Sequence, residues 1–562
     1  MIIPPPQDRY EFYLDLITKC EASLPDRRQA CNQWRMYYLQ GTLGNQHNVY
    51  QNRIRDKINL LSAFLYAQET TKFDIKFAAH VPPEQKLYSD TMREIILDLW
   101  HNTDTDRLFG EAVTWSLIDG ARFKKVLWDR RSGVQTYTVE QQCLGVLRED
   151  VDSFDQEAIC QTYWITRSEL GRQLYNHPRR DEILSRVDGR KKDDSSTIPE
   201  TVNRIIISQV SPNMIGSANV DGTGIRMDYL PRVEEELIEM RELWVWDDFL
   251  RDGEGDYRVY TCATPDITIF DRPNFFMPGE HPFIKVCAFP LPDYFWGFSV
   301  VSALIGLQDW RDKRLGQIDR IIEKQLRPSR IGIGTGALGE EKRLAMDSPG
   351  AYTPFPNPVG KIETYVPQLT QDPWNLISNI DEQMDEIVGL SKTLKGRGDE
   401  GVRAEGHAMF LGRMGAAPVK KLALLVEDGL EDEASLMLKV HGANSKTIYL
   451  ADKAEGKREK FLLSQVSQDF RVRVAAHSAS PVFAEENKAL AVELFKAQAI
   501  NKHTLVEMLD PPMLETILAR LPELEAGAAQ AAKVQAAVEQ SKADKNAAQA
   551  QQARAKIIGL HK

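Results

Sequence analysis

Three stretches of this chain hold residues whose types and spacing could do chemistry. Gly334-Thr335-Gly336-Ala337-Leu338-Gly339 reads G-x-G-x-x-G. In a dinucleotide site such a turn joins a strand to a helix inside a βαβ unit, and backbone N–H groups meet the pyrophosphate. Here only Arg330–Ile333 precedes it as a strand, and the Pro-rich Tyr352–Pro356 follows. That context predicts a turn beside a hairpin. Glu234-Glu235-Glu236 with Glu239 has the acid density of a cation site or a channel lining, but a run of like charge is more commonly a solvated face. The third stretch, 391–406, interrupts a long helical pattern with Gly396, Gly398 and Gly401. It carries Lys395, Arg397 and Arg403 beside Asp399, Glu400 and Glu405. An ordinary helix–loop–helix accounts for the glycines. The mixed charge also suits reversible contact of a mobile loop with a polyanion.

The wider search for catalysis is negative. There is no G-x-x-x-x-G-K-[ST] phosphate loop, no H-E-x-x-H and no G-x-S-x-G. Ten histidines are scattered, and six cysteines (20, 31, 143, 160, 262, 287) form no C-x-x-C pair. The thiols are expected to be reduced, as in a protein made in the cytosol. The N-terminal residues lack the pattern of a secretory leader. No catalytic activity, cofactor or metal is expected.

The chain has 562 residues, 42% hydrophobic and 27% charged, with a net charge of −11. This is ordinary globular composition and excludes a mostly disordered chain, a collagen-like fibre or a disulfide-stapled miniprotein. No apolar run approaches the roughly 20 residues of a membrane helix. An acidic chain does not bind nucleic acid through a globally basic surface, so DNA contact, if any, is transient.

The elements that must position these residues follow from periodicity. Helical spacing predicts helices over 8–40, 50–68 and 84–120, with a half-buried strand at Phe73–Phe77 and another at Lys125–Trp128. A β-rich stretch follows, with strands at 204–210, 242–247, 257–263 and 266–270 and a hairpin turn at Arg251–Asp256. Leu243-Trp244-Val245-Trp246 reads as sheet core or subunit interface. Residues 299–327 form one long helix with Leu304, Leu307, Leu315, Ile318 and Ile322 on one face, ended by Pro328. A longer helical region, 373–439, contains the polar break. Short helices follow at 485–521, and 526–556 is rich in Ala, Gln and Lys, with high helix propensity. The fold class expected is α+β, predominantly helical.

Three features together resemble the portal proteins of tailed double-stranded DNA bacteriophages. One is the helix Arg53–Leu61 followed by the strand Phe73–Phe77. Another is Pro290-Leu291-Pro292-Asp293-Tyr294-Phe295-Trp296-Gly297-Phe298-Ser299-Val300-Val301 leading into Leu307-Gln308-Asp309. The third is the order of parts over about 45–520: β-rich module, long helix, β-hairpin segment, interrupted helix, C-terminal helices. The resemblance implies a homo-oligomeric ring, usually of twelve subunits, at one capsid vertex of the virion, assembled in the host cytoplasm. Double-stranded DNA would pass through its channel during packaging and ejection. Partners would be the terminase large subunit, a head–tail adaptor, and the major capsid and scaffolding proteins, with no membrane and no cofactor.

By position the resemblance implies wing at 1–230, clip and adjoining strands at 231–295, a stem helix at 296–328, and wing again at 329–480. The tunnel loop would be 391–406, and crown or barrel helices 481–562. The tunnel loop would present Lys395, Arg397, Asp399, Glu400 and Arg403 to the channel, and the stem helix would carry Arg311, Lys313, Arg314, Arg320 and Lys324. No stretch before residue 236 reads as a second stem helix. The competing readings are another ring-forming phage tail or connector protein, or a nucleic-acid-processing enzyme.

Overall fold

The computed structural model describes the chain except residues 2, 6–7, 42–50, 69, 130, 188–236, 264–266, 334–351, 356–360, 369, 393, 396–404, 454–456, 510, 512–515, 518–519, 523–539, 543–544 and 551–562. The chain divides into two compact units, 1–482 and 483–562, and the fold class is α+β.

The first unit begins with helices α1 (Arg9–Cys20), α2 (Leu24–Gln40) and α3 (Arg53–Leu65). Strand β1 (Phe73–Phe77) and the single turn α4 (Pro83–Lys86) lead to α5 (Ser89–Asn102) and α6 (Thr105–Asp119). Strands β2 (Arg122–Asp129), β3 (Gly133–Val139), β4 (Leu144–Val146) and β5 (Ala158–Thr166) precede the short helices α7 (Arg167–Gln173) and α8 (Arg180–Arg186). Strands β6 (Leu237–Asp247), β7 (Asp256–Ala263), β8 (Ile267–Pro273) and β9 (Phe283–Val286) follow.

Two sheets organise this half. One is antiparallel with order β4-β5-β6-β7-β8, and the other has order β3-β2-β9. β5 and β6 pair from Ala158↔Val245 to Thr166↔Leu237. Because side chains alternate faces along a strand, Leu243 and Val245 point to a core with Ala158, Cys160, Tyr260 and Cys262 under α1. Trp244 points the other way, to a core with Phe123, Phe283, Phe295 and Trp296. A strand buried on both faces reads as a continuous apolar run, which explains Leu243–Trp246.

The segment 290–301 plugs the second core. Phe295 stacks on Phe123 with centroids 5.5 Å apart, and the Arg27 guanidinium lies 3.4 Å over the Trp296 ring. Gly297 takes φ 68°, and a Cβ there would come within 2.8 Å of the Gly120 carbonyl oxygen. Two glycines therefore permit a backbone approach that side chains would block.

These pairings cross the boundary expected at 230/231. β6 shares its register with β5, and β9 pairs with β2. The strands of 237–286 therefore belong to the same sheets as 122–166 instead of forming a module of their own. Of the β-rich stretch, the strands expected at 242–247, 257–263 and 266–270 are β6 to β8. The one expected at 204–210 lies outside the described residues, as do Glu234–Glu236 and the G-x-G-x-x-G stretch.

The second half carries the long helix α9 (Val300–Leu326) and a three-stranded sheet of β10 (Ser329–Ile333), β11 (Tyr352–Phe355) and β12 (Lys361–Tyr365) in the order β11-β10-β12. Helix α10 (Asp372–Val388) and the 40-residue α11 (Glu405–Asn444) follow. The hairpin β13 (Ile448–Lys453) and β14 (Lys457–Leu462) precedes β15 (Phe470–Val474), which pairs antiparallel with β1.

Helix α11 is the spine of the unit. Val419, Ala423, Val426, Leu430, Ala434, Met437 and Val440 recur every three or four residues and are buried, the stripe an amphipathic helix needs. Its packing partners include β2, β9, β15, α3 and α5. Within it sits Glu433, whose carboxylate lies 2.6 Å from the Lys124 ammonium of β2 with both side chains fully buried. The Thr136 hydroxyl donates to the same carboxylate at 2.6 Å. Burial pushes the Lys124 pKa down, and the Glu433 charge acts against that. In the second unit, α12 (Ala484–Lys496) packs on α13 (Lys502–Leu509). Of 526–556 only 540–542 and 545–550 are described, and both are helical.

Two outcomes follow from the buried titratable groups. Lys124→Met leaves Glu433 without a counter-charge and is expected to cost about 3–5 kcal/mol in urea unfolding. The double variant Lys124→Met/Glu433→Leu is expected to recover most of that loss. His281 packs against Phe154, Tyr257 and Phe283, its Nδ1 accepts from the Phe283 N–H at 3.2 Å, and its Nε2 faces the Phe154 carbonyl at 3.2 Å. Burial lowers its pKa from 6.5 to about 4, against the pull of the Phe154 carbonyl. A depressed folded-state pKa gives stability that is whole above pH 6.5 and lost as pH falls through about 4, a loss of order ~3 kcal/mol. Melting curves across that window should show the loss in the wild type and a flatter profile in His281→Gln.

Candidate functional site

The chain's most extended polar feature is the helix pair α9–α10. Ser299 caps α9: its hydroxyl accepts from the Ser302 N–H at 3.3 Å and donates to the Ile118 carbonyl at 2.5 Å. Pro328 follows its end, where a missing N–H and ring clash stop a helix. α10 runs antiparallel to α9. The Gln325 amide donates to the Pro367 carbonyl at 2.9 Å, while Arg311, fourteen residues earlier, reaches Asp381, fourteen residues later, at 2.8 Å. α10 ends at Gly389, in the left-handed region at φ 77°.

The two halves of α9 differ. In the first, Val300, Val301 and Leu304 are buried together with Gln308, Arg311 and Asp312. Gln308 is fully engaged: its amide donates to the Gln51 carbonyl at 3.0 Å and to Asp312 at 2.7 Å, and its oxygen accepts from the Arg53 N–H at 3.1 Å. Asp381 takes Arg53 at 3.3 Å as well as Arg311. In the second half Ile318 is the buried residue, and Leu326 is 78% exposed.

The structure separates the expected site residues. Arg311 is buried and joins α9 to α10, so it packs the two helices together. Lys313 and Arg320 are exposed, Lys324 is half-buried, and Arg314 is half-buried with its guanidinium donating to Gln317 at 2.8 Å. Lys395 is ion-paired with Asp385, which also holds Lys57 of α3. Burial lowers the Lys57 pKa and the Asp385 charge opposes it. Lys395 thus anchors one end of the break between α10 and α11. Arg397, Asp399, Glu400 and Arg403 lie outside the described residues. Sequence reasoning passed over Asp381 and Asp385. Their signal was two acids four residues apart, interleaved with the buried Ile377, Ile380, Met384 and Val388.

Elsewhere the chemistry is quiet. A cleft of about 890 Å³ lies between β9, β15 and α11, and its charges are largely spent on one another. Lys285 pairs with Asp152, Lys439 with Glu280 at 2.6 Å, and Arg473 with Glu431 at 2.8 Å. Burial pushes the Cys20, Cys143 and Cys262 thiols up to about 12 and Cys287 to about 11, the reverse of an activated nucleophile. Among the described residues no His, Cys, Asp and Glu cluster is placed to hold a metal, and no helix is long and apolar enough to cross a membrane.

No family model matches this sequence, and no curated protein matches it. Among solved structures, a chain from the virion of a native gene transfer agent particle is similar, at 10% identity and a TM-score of 0.36, over 85% of this chain and 99% of that one. Likeness at that level identifies neither fold nor function.

The two kinds of cation on α9 should behave differently. Arg311→Ala leaves Asp381 partly buried with Arg53 alone and should cost roughly 1.5–3 kcal/mol. Arg320→Ala should stay within about 0.5 kcal/mol of wild type. Parallel urea titrations at neutral pH measure both.

Proposed function

We propose that this chain is the subunit of a portal ring, a non-enzymatic conduit for double-stranded DNA at one capsid vertex. The observation that carries the reading is the antiparallel pair α9–α10, bracketing the small sheet of 329–365. It is packed into the body at one end and largely uncovered at the other. A long polar helix pair with so little burial gains little from its own chain, and helices at such length draw most stability from packing. A ring of copies supplies the missing surface, because a heterologous contact whose rotation closes gives a closed ring.

In this reading the parts are arranged differently from the order that the sequence resemblance implies. α9 and α10 together take the place of the stem, and 329–365 takes the place of the clip instead of 231–295. The break 391–406, between α10 and α11, keeps the tunnel-loop role. The two sheets and α11 take the wing role, and 483–562 the crown or barrel role. The missing second stem helix is then α10, downstream of α9. The terminase large subunit and a head–tail adaptor would dock in turn at the clip, the capsid and scaffolding proteins would surround the ring, and ATP hydrolysis would belong to the terminase. The net charge of −11 suits a conduit along which DNA slides without sticking.

Mass photometry of the purified full-length chain tests the reading. The expected result is a discrete species at an integer multiple of 63.8 kDa. A folded chain that remains at 63.8 kDa at micromolar concentration contradicts it. Deleting 396–401 should leave that species intact and reduce DNA packaging or retention in a packaging assay. Unchanged packaging would remove the role assigned to the break.

A further inference from the structure

The outward side of α9 carries a line of cations, and the outward side of α10 a line of acids. On α9, Lys313 and Arg320 are exposed, the exposed Arg327 caps its end, the three stand seven residues apart, and the exposed acids Asp319 and Glu323 flank their line. At 3.6 residues per turn the three cations fall on one line along the helix, about 21 Å long. That line is roughly opposite the buried side of Leu304, Arg311 and Ile318. On α10, Asp372, Glu382 and Glu386 are exposed and share the side away from the buried Ile377, Ile380, Met384 and Val388. This line also spans fourteen residues, about 21 Å.

The chain's own ion pairs leave this pattern in place. The inward carboxylates of α10, Asp381 and Asp385, are the ones that take Arg53, Arg311, Lys57 and Lys395. Glu382 meets Lys392 at 3.0 Å, with both groups about half exposed or more, and a pair of that kind is worth at most about 1 kcal/mol. Apolar surface borders both lines: Leu326 is 78% exposed at the end of α9, and Ile387 is 47% exposed at the end of α10.

We propose that these two faces dock on each other between copies of the chain, the cationic face of α9 in one subunit against the anionic face of α10 in the next. The proposal rests on the ring reading above and names the contact that closes the ring. Two lines of similar length and opposite sign, on different helices of one subunit, make a head-to-tail contact that repeats from copy to copy. Matched signs fix its register, and like charge rejects an α10-on-α10 pairing along the acid line.

Charge exchange tests this on the full-length chain at about 0.1 M salt, where screening still leaves short-range pairs effective. Lys313→Glu/Arg320→Glu should raise the concentration needed for assembly by about tenfold or more in mass photometry. Its circular dichroism and melting should match wild type, because both side chains are exposed. Glu382→Lys/Glu386→Lys should do the same. The four changes combined should restore assembly. Assembly of the α9 variant at wild-type concentration overturns the proposal, and so does failure of the combined variant to recover. An α9 variant with intact rings and weakened retention of double-stranded DNA assigns the face to nucleic acid and overturns it too. A wild-type chain that never assembles overturns the ring reading as well, which separates that failure from this one.

Discussion

A single buried ion pair fixes the arrangement on which the rest of the first unit depends. Lys124 of β2 and Glu433 of α11 meet with no solvent contact on either side chain. Two charges taken out of water are costly, and their attraction offsets the cost only when geometry is good and other hydrogen bonds help. The Thr136 hydroxyl supplies such help from β3. The pair therefore ties α11 to the sheet β3-β2-β9 at one rotation and one register, since a turn of the helix would strand both charges. Apolar packing on either side is more tolerant of small shifts.

From that anchor the polar break and the helix pair take their places. α11 begins at Glu405, and the chain before it runs back through the break to Lys395, held by Asp385 of α10. Asp385 also holds Lys57, and Asp381 holds Arg53, so α10 is tied to α3 as well as to α9. The buried half of α9 packs among helices, α2, α3, α6 and α10, with Gln308, Arg311 and Asp312 beside Val300, Val301 and Leu304. In its outer half Ile318 is the one buried residue among the described residues, and in the ring reading a neighbouring copy covers the rest.

Much of this was legible in the sequence because periodicity reports local geometry. The helices at 53–65, 89–102 and 105–119, the strand 73–77, and α9 with its Pro328 stop all follow from spacing and end signals. The β6–β7 hairpin follows from the turn at Arg251–Asp256. Partnership across the chain was not legible. Periodicity says that a strand has an inner face, but not that β6 will pair with β5 some eighty residues earlier or that β1 will pair with β15. Reading 231–295 as a separate piece came from that gap. For the candidate site the same limit applies. Arg311 and Lys313 look alike in a charged helix, and a two-residue step turns one into the core toward Asp381 and leaves the other in solvent. The acids Asp381 and Asp385 carried no sign of their partners on α3. Only the position of the break itself was plain, from glycines inside a helical pattern.

The central claim is that copies of this chain close around an axis with the α9–α10 pairs standing side by side. Electron cryo-microscopy of the purified protein, with end-on and side views, tests it most directly. The account predicts a closed ring with an axial channel, and density for α9 and α10 grouped around that channel between a broad body and a narrower end formed by 329–365. A folded particle without rotational symmetry, or a ring with the α9–α10 pairs on its outer rim away from the channel, would contradict it.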